Sequence, residues 1–181
     1  MEMKGERLLP TGRATAWAML NDTAVLQSCI PGCESLTPSG EHTYDIVMNA
    51  AIGPVRARFK GTLTLSDIEP PNRYKLSFDG QSSQAGFARG TAAIELHEVA
   101  PRATRLTYVA NVQIGGKLAQ VGARLIDAAA AATADKFFEA LAARLAAPTG
   151  AEVGAALAQV PARFGFWRWL GSFLRHLFAR R

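Results

Sequence analysis

Three histidines and two cysteines are the first places to look for chemistry, and their spacing argues against it. His42, His97 and His176 are scattered; none belongs to a His-Glu-x-x-His pair or stands at ligand spacing from a cysteine or acid. Cys29 and Cys33 flank Ile30-Pro31-Gly32. Two cysteines make no disulfide framework and lack the companion ligands of a zinc site, so they read as small residues in a tight loop. Gly115-Gly116-Lys117 carries no phosphate-loop spacing and reads as a strand-to-helix turn. No metal site is expected. What remains is hydroxyl chemistry: Tyr74 and Tyr108 lie on the inward parity of two strands, with Thr133 facing them from a helix. General acid–base work asks for a titratable group poised by its surroundings, and this inward face offers no Asp, Glu, His or Lys. Binding is expected rather than catalysis. A buried tyrosine is read first as a core residue with a satisfied hydroxyl, and second as a ligand contact.

The elements that position these groups are legible from period and punctuation. Residues 2 to 9 read as a short strand. Pro10 and Thr11 open a helix carrying Ala14, Trp17, Ala18 and Leu20, and Asp22 is placed to cap a second short helix through Val25 and Leu26. From Thr43 to Ile114 the dominant period is two. Val55, Ala57, Phe59, Gly61, Leu63 and Leu65 alternate with Arg56, Arg58, Lys60, Thr62 and Thr64, the pattern of a strand with one buried and one wet face. Tyr74, Leu76 and Phe78, then Ala92, Ile94 and Leu96, then Leu106, Tyr108, Ala110, Val112 and Ile114 repeat it. Gly53-Pro54, Pro70-Pro71-Asn72 and Pro101-Arg102-Ala103 separate the runs. An antiparallel meander with one apolar face needs a cover, and Lys117 to Ala147 reads as the long helix that supplies it. The expected class is α+β.

The side of that helix opposite Lys117, Gln120, Arg124, Asp127, Asp135 and Glu139 is Ala119, Gly122, Ile126, Ala129, Ala130, Thr133, Phe137 and Ala140. Most of these residues are small. A helix over a sheet normally fills the gap with large side chains at near-crystalline density. Small ones either let the backbones approach or leave a void. The void is the expectation, because a concave sheet bends away from a straight helix. Its expected lining is Phe59, Leu63, Tyr74, Leu76, Phe78, Phe87, Tyr108 and Val112 from the sheet, with Gly122, Ile126, Ala129, Ala130, Thr133 and Phe137 from the helix. Such a space suits a hydrophobic small molecule.

Charge divides the chain of 181 residues unevenly: the net +5 resides in Pro161 to Arg181, which holds five arginines and no acid. The body before it is neutral. On a helical wheel Phe166, Trp167, Trp169, Leu170, Phe173, Leu174, Leu177 and Phe178 fill one half, and Arg168 and Arg175 lie on the other. With Arg163, Arg180 and Arg181 these make a basic amphipathic helix. Its apolar half has three candidate homes: its own domain, a partner's groove, or a bilayer surface. Arginine opposite tryptophan, phenylalanine and leucine favours the bilayer surface, and the run is too short and too interrupted for the roughly 20 apolar residues of a span. The expected organisation is a domain over 1–147, a linker over 148–162 and a membrane-anchoring helix over 163–181. Glu2, Lys4, Glu6 and Arg7 rule out a secretory leader at Met1 to Pro10, so the expected location is cytoplasmic, peripheral on the inner face of the membrane. Nucleic acid is disfavoured by the neutral body, and the Arg56, Arg58, Lys60 row reads as a solvated strand face.

Several runs resemble a known family. Met1-Glu-Met-Lys-Gly-Glu6, Cys29-Ile-Pro-Gly-Cys-Glu-Ser-Leu36, Gly53-Pro-Val-Arg-Ala-Arg-Phe-Lys-Gly61, Leu65-Ser-Asp-Ile-Glu-Pro-Pro-Asn72, Ala85-Gly-Phe-Ala-Arg-Gly90 and Gly115-Gly-Lys-Leu-Ala-Gln-Val-Gly-Ala-Arg-Leu-Ile126 resemble the carbon monoxide dehydrogenase G-subunit family, across about residues 1 to 145. The resemblance implies a START-like, helix-grip fold: a curved sheet wrapped around a C-terminal helix and an apolar cavity. It further implies a non-catalytic accessory of a molybdenum-containing hydroxylase of the carbon monoxide dehydrogenase type, brought to the cytoplasmic membrane and handling quinone. No catalytic residues carry over. No tightly bound cofactor is expected; the expected ligand is a quinone or similar lipid. Two alternatives stay open: a cyclase-type enzyme with Tyr108 as proton donor, and a ligand-free assembly chaperone.

Overall fold

The structure, a computed structural model, describes residues 1–146; the expected linker 148–162 and basic helix 163–181 lie outside the described residues. Strand β1 (Glu2–Leu9) is followed by helix α1 (Arg13–Leu20) and helix α2 (Thr23–Cys29). Both helices sit where the punctuation places them. The Asp22 carboxylate accepts hydrogen bonds from the Ala24 and Val25 amides at 2.8 and 3.1 Å, satisfying donors that the first turn leaves orphaned. Strands β2 (Cys33–Gly40), β3 (Thr43–Ile52), β4 (Val55–Glu69), β5 (Arg73–Ser82), β6 (Gly86–Ala100) and β7 (Ala103–Gly115) follow as an antiparallel meander. β1 pairs with β7, giving one seven-stranded sheet in the order β1-β7-β6-β5-β4-β3-β2.

Strand β2 is an addition to the sequence reading, and it moves the cysteines. Cys29 is the buried last residue of α2 and Cys33 the first residue of β2, so only Ile30, Pro31 and Gly32 form the loop between them. Local pattern missed the strand because Glu34-Ser-Leu-Thr-Pro-Ser-Gly40 has a single fully buried position, Leu36. Pro38 is tolerated there because β2 is an edge strand with a bulge beside it.

The sheet bends where side chains are missing. Gly61 pairs with Gly80, and a Cβ at Gly61 would overlap the Asp79 carbonyl; a Cβ at Gly90 would overlap the Asn111 carbonyl. Strands that approach this closely can coil across the middle of the sheet, which makes its inner face concave.

The covering helix is interrupted, contrary to the single run expected from Lys117. Gly116–Val121 is a 3-10 turn, Gly122 adopts φ +99°, a conformation L side chains rarely take, and α3 (Ala123–Ala146) starts after it. Since a 3-10 turn advances three residues per turn rather than 3.6, one wheel drawn through both segments loses its phase. Ala119 and Gly122 are accordingly exposed; Thr133, inside α3, is exposed while bordering the cavity described below. Within α3, Ile126 and Leu141 are buried and Ala129, Ala130, Ala134, Phe137, Phe138 and Ala140 half-buried, a line that includes most of the expected one.

Two separate cores hold this arrangement. In one, Leu9, Leu20, Tyr74, Ile94, Leu96 and Leu106 pack around Leu141, with Phe137 and Phe138 against them. In the other, Ala57, Phe59, Ala85 and Leu118 pack with Met48, Ile52 and Ile114. The single buried polar side chain among the described residues, Thr104, donates to the Thr11 carbonyl at 2.8 Å and ties β7 to the start of α1. Leu141 is fully buried. Leu141→Ala should therefore lower the unfolding free energy by about 3 kcal/mol, within the range for leucine truncation in a core. Asp22→Ala should cost about 1 kcal/mol. Urea melts of the two variants check that order.

Candidate ligand cavity

Between the two cores, under the middle of α3, lies a cavity of about 820 Å³. The helix is buried at Ile126 and Leu141, positions about 22 Å apart at the helical rise, and presents mainly alanine between them. Alanine is too short to cross the gap to a concave sheet. The space therefore persists without any side chain being out of place.

Most of the residues expected to line a void do line this one. Phe59, Leu63, Tyr74, Leu76, Phe78, Tyr108 and Val112 face it from the sheet, and Ile126, Ala129, Ala130, Thr133 and Phe137 from α3. Phe87 and Gly122 do not. The cavity-lining residues of β6 are Ala88, Ala92 and Ile94, so Phe87 has the opposite parity and its ring carries the Arg89 guanidinium at 5.1 Å instead. Gly122, at the helix break, faces open space.

A whole wall was missing from the sequence reading. Leu20, Leu26 and Ile30 contribute from α1 and α2, and Tyr44, Ile46, Met48, Ala50 and Ile52 from β3. The β3 residues carry a period-two signal of their own; the helical ones carry none that separates a cavity wall from a core. The charged side chains also need correction: Asp79 and Lys136 both touch the cavity. Lys136 is exposed, and Asp79 also borders a smaller groove beside Arg89 and Gln113, so both stand at the margin.

The three hydroxyls expected inside have different surroundings. The Thr133 hydroxyl donates to the Ala129 carbonyl at 2.8 Å, so its proton is taken up by its own helix. Tyr108 stacks on Phe138 with ring centroids 5.7 Å apart, and its hydroxyl lies over Gly5 at the β1 edge. Phe138 in turn carries the Arg7 guanidinium at 5.5 Å, while Arg7 pairs with Asp135 and ties β1 to α3. Tyr74 is 8% exposed and meets the Trp17 ring edge-on at 5.5 Å and 85°. Burial pushes its phenol well above the ordinary range, so it stays protonated at any physiological pH. The site can enclose an apolar body and offer it few polar contacts. Among the described lining residues none pairs a nucleophile with a base.

Among solved structures, a conserved protein from Geobacillus kaustophilus is 29% identical with a TM-score of 0.77, covering 81% of this chain and 95% of that one. A START superfamily protein from Mycobacterium smegmatis has a TM-score of 0.60 at 11% identity, covering 80% and 96%. The ZhuI aromatase/cyclase from a Streptomyces species has a TM-score of 0.60 at 9% identity, covering 80% and 93%. These last two identities speak to fold alone, and the fold is START-like: a curved antiparallel sheet gripping a C-terminal helix. A sequence comparison with curated proteins finds no match. Residues 5–146 match the sequence profile of the carbon monoxide dehydrogenase G-subunit (CoxG) family. With most of its length matched and the fold in agreement, the chain belongs to the CoxG family.

Proposed function

We propose that this protein is a non-catalytic accessory that holds a hydrophobic ligand, a quinone or similar isoprenoid lipid, and brings a molybdenum hydroxylase of the carbon monoxide dehydrogenase type to the cytoplasmic face of the membrane. The observation that carries the ligand half is the cavity: about 820 Å³ enclosed by aliphatic and aromatic side chains, within the usual size of a small-molecule site. The partner half rests on the family, whose description names a carbon monoxide dehydrogenase. The membrane half rests on the sequence pattern of residues 163–181. Among the described residues no helix is long and apolar enough to cross a membrane, and a basic amphipathic segment would act at the surface.

The cyclase-type alternative gains little from the geometry. Its proton donor, Tyr108, lies against Phe138 and Gly5, and a shared fold does not carry a shared reaction. The chaperone alternative supposes a helix packed tightly on the sheet, and the cavity does not favour it.

Protein purified from its own host and extracted with organic solvent should yield an isoprenoid quinone or related lipid in near-stoichiometric amount; folded protein yielding none would remove the ligand half. Ala130→Leu, which adds an apolar side chain to empty space, should leave the urea midpoint unchanged or higher while reducing uptake of the hydrocarbon dye diphenylhexatriene. A drop of the 1–3 kcal/mol typical of overpacking would mean that α3 packs closely there. Full-length protein should co-sediment with phosphatidylglycerol-containing vesicles, and Trp167→Ser, Trp169→Ser and Phe173→Ser together should abolish it. Added salt should only weaken sedimentation, since apolar burial survives screening.

A further inference from the structure

The Tyr74 hydroxyl is an oddity of this cavity. The ring is anchored in the larger core by Trp17, yet no described residue hydrogen-bonds its oxygen, although every fully enclosed side-chain nitrogen and oxygen among the described residues has a partner. The oxygen is therefore not fully enclosed by described atoms, and Tyr74 is a lining residue of the cavity. A phenylalanine would fill the same volume without an unpaired hydroxyl in apolar surroundings.

Position along the strand adds direction. The inward residues of β5 run Tyr74, Leu76, Phe78 and Gly80, all lining the cavity over about 20 Å of strand. Tyr74 belongs to the core that surrounds Leu141, so it stands at the packed end. Gly80 and its neighbour Asp79 mark the other end, where Met1 is exposed. The only charged side chains on the described lining are Asp79 and Lys136. Asp79 is five residues from Tyr74 along an extended strand, and Lys136 is exposed.

We infer that Tyr74 is the polar contact that orients the ligand, donating its hydroxyl proton to a carbonyl oxygen of an uncharged head, which enters first and leaves its apolar tail along β5. This rests on the hydrophobic-ligand reading above and makes it more specific: the ligand carries an acceptor oxygen on a neutral head. Anionic lipids, whose heads would need a buried cation, are poor ligands here. The tyrosine remains protonated, so the hydrogen bond is available across the physiological pH range.

Two probes separate this inference from the reading beneath it. Decylubiquinone has two carbonyls and an apolar tail; diphenylhexatriene is a hydrocarbon. With Trp167→Phe and Trp169→Phe in the full chain, Trp17 is the one tryptophan left of three and reports a quinone seated against Tyr74 by quenching. Tyr74→Phe in that background should weaken decylubiquinone about tenfold, the worth of one good hydrogen bond, and leave diphenylhexatriene within about twofold. Unchanged quinone affinity overturns the inference and leaves the cavity reading intact. Equal weakening of both probes also overturns it, since Tyr74 would then be structural. If neither probe binds the parent chain, the ligand-binding reading and this inference fall together.

Discussion

The cover of this sheet, the 3-10 turn and α3 together, spans two separate cores: Leu118 packs in one and Leu141 in the other. The buried positions of α3, Ile126 and Leu141, are about 22 Å apart, and it presents mainly alanine between them until Phe137. An α-helix is too stiff to dip into the gap, and alanine is too small to fill it. The cavity is thus a consequence of three separate features: a concave sheet, a straight helix and small residues at mid-span.

The curvature comes from backbone contacts that glycine permits at Gly61 and Gly90, and from the wrapping of β1 onto β7. The straightness is supported at one end by the Leu141 cluster, where Arg7 links Phe138 and Asp135 to the edge strand. At the other end Leu118 and Ile126 hold the helix start, and the break at Gly122 lets a 3-10 turn and α3 each present its own buried residue. These supports surround the cavity without entering it. Its contents can therefore change while the cores stay packed, which is the property a carrier of a small molecule needs.

Chemically the interior is one-sided. A large apolar surface holds a ligand by excluding water and says little about which ligand. Discrimination falls to the few polar atoms, and the structure distributes them unequally: Thr133 bonded to its own helix, Tyr108 over the β1 edge, Tyr74 with no hydrogen-bond partner among the described residues. The START-like neighbours share the architecture at identities far too low to share these details.

Much of this was legible in the amino-acid order, because it depends on near neighbours. Period-two alternation marked the inner faces of β4, β5 and β7; Asp22 marked the start of α2; small residues on one side of Ala123–Ala146 marked a helix unable to fill a gap. The neutral body and the basic run from Arg163 to Arg181 are likewise properties of the sequence itself. Other features depended on contacts between distant segments. An edge strand as weakly patterned as β2 exists because β3 offers it a ladder. Phe87 turned outward because its parity is counted in the frame of β6. The start of α3 was set by the break at Gly122, and the walls supplied by α1, α2 and β3 could not be told from core by their own composition. Whether the hydroxyl of Tyr74 has a partner is a question about every atom within reach of it, and only the packed fold decides which atoms those are.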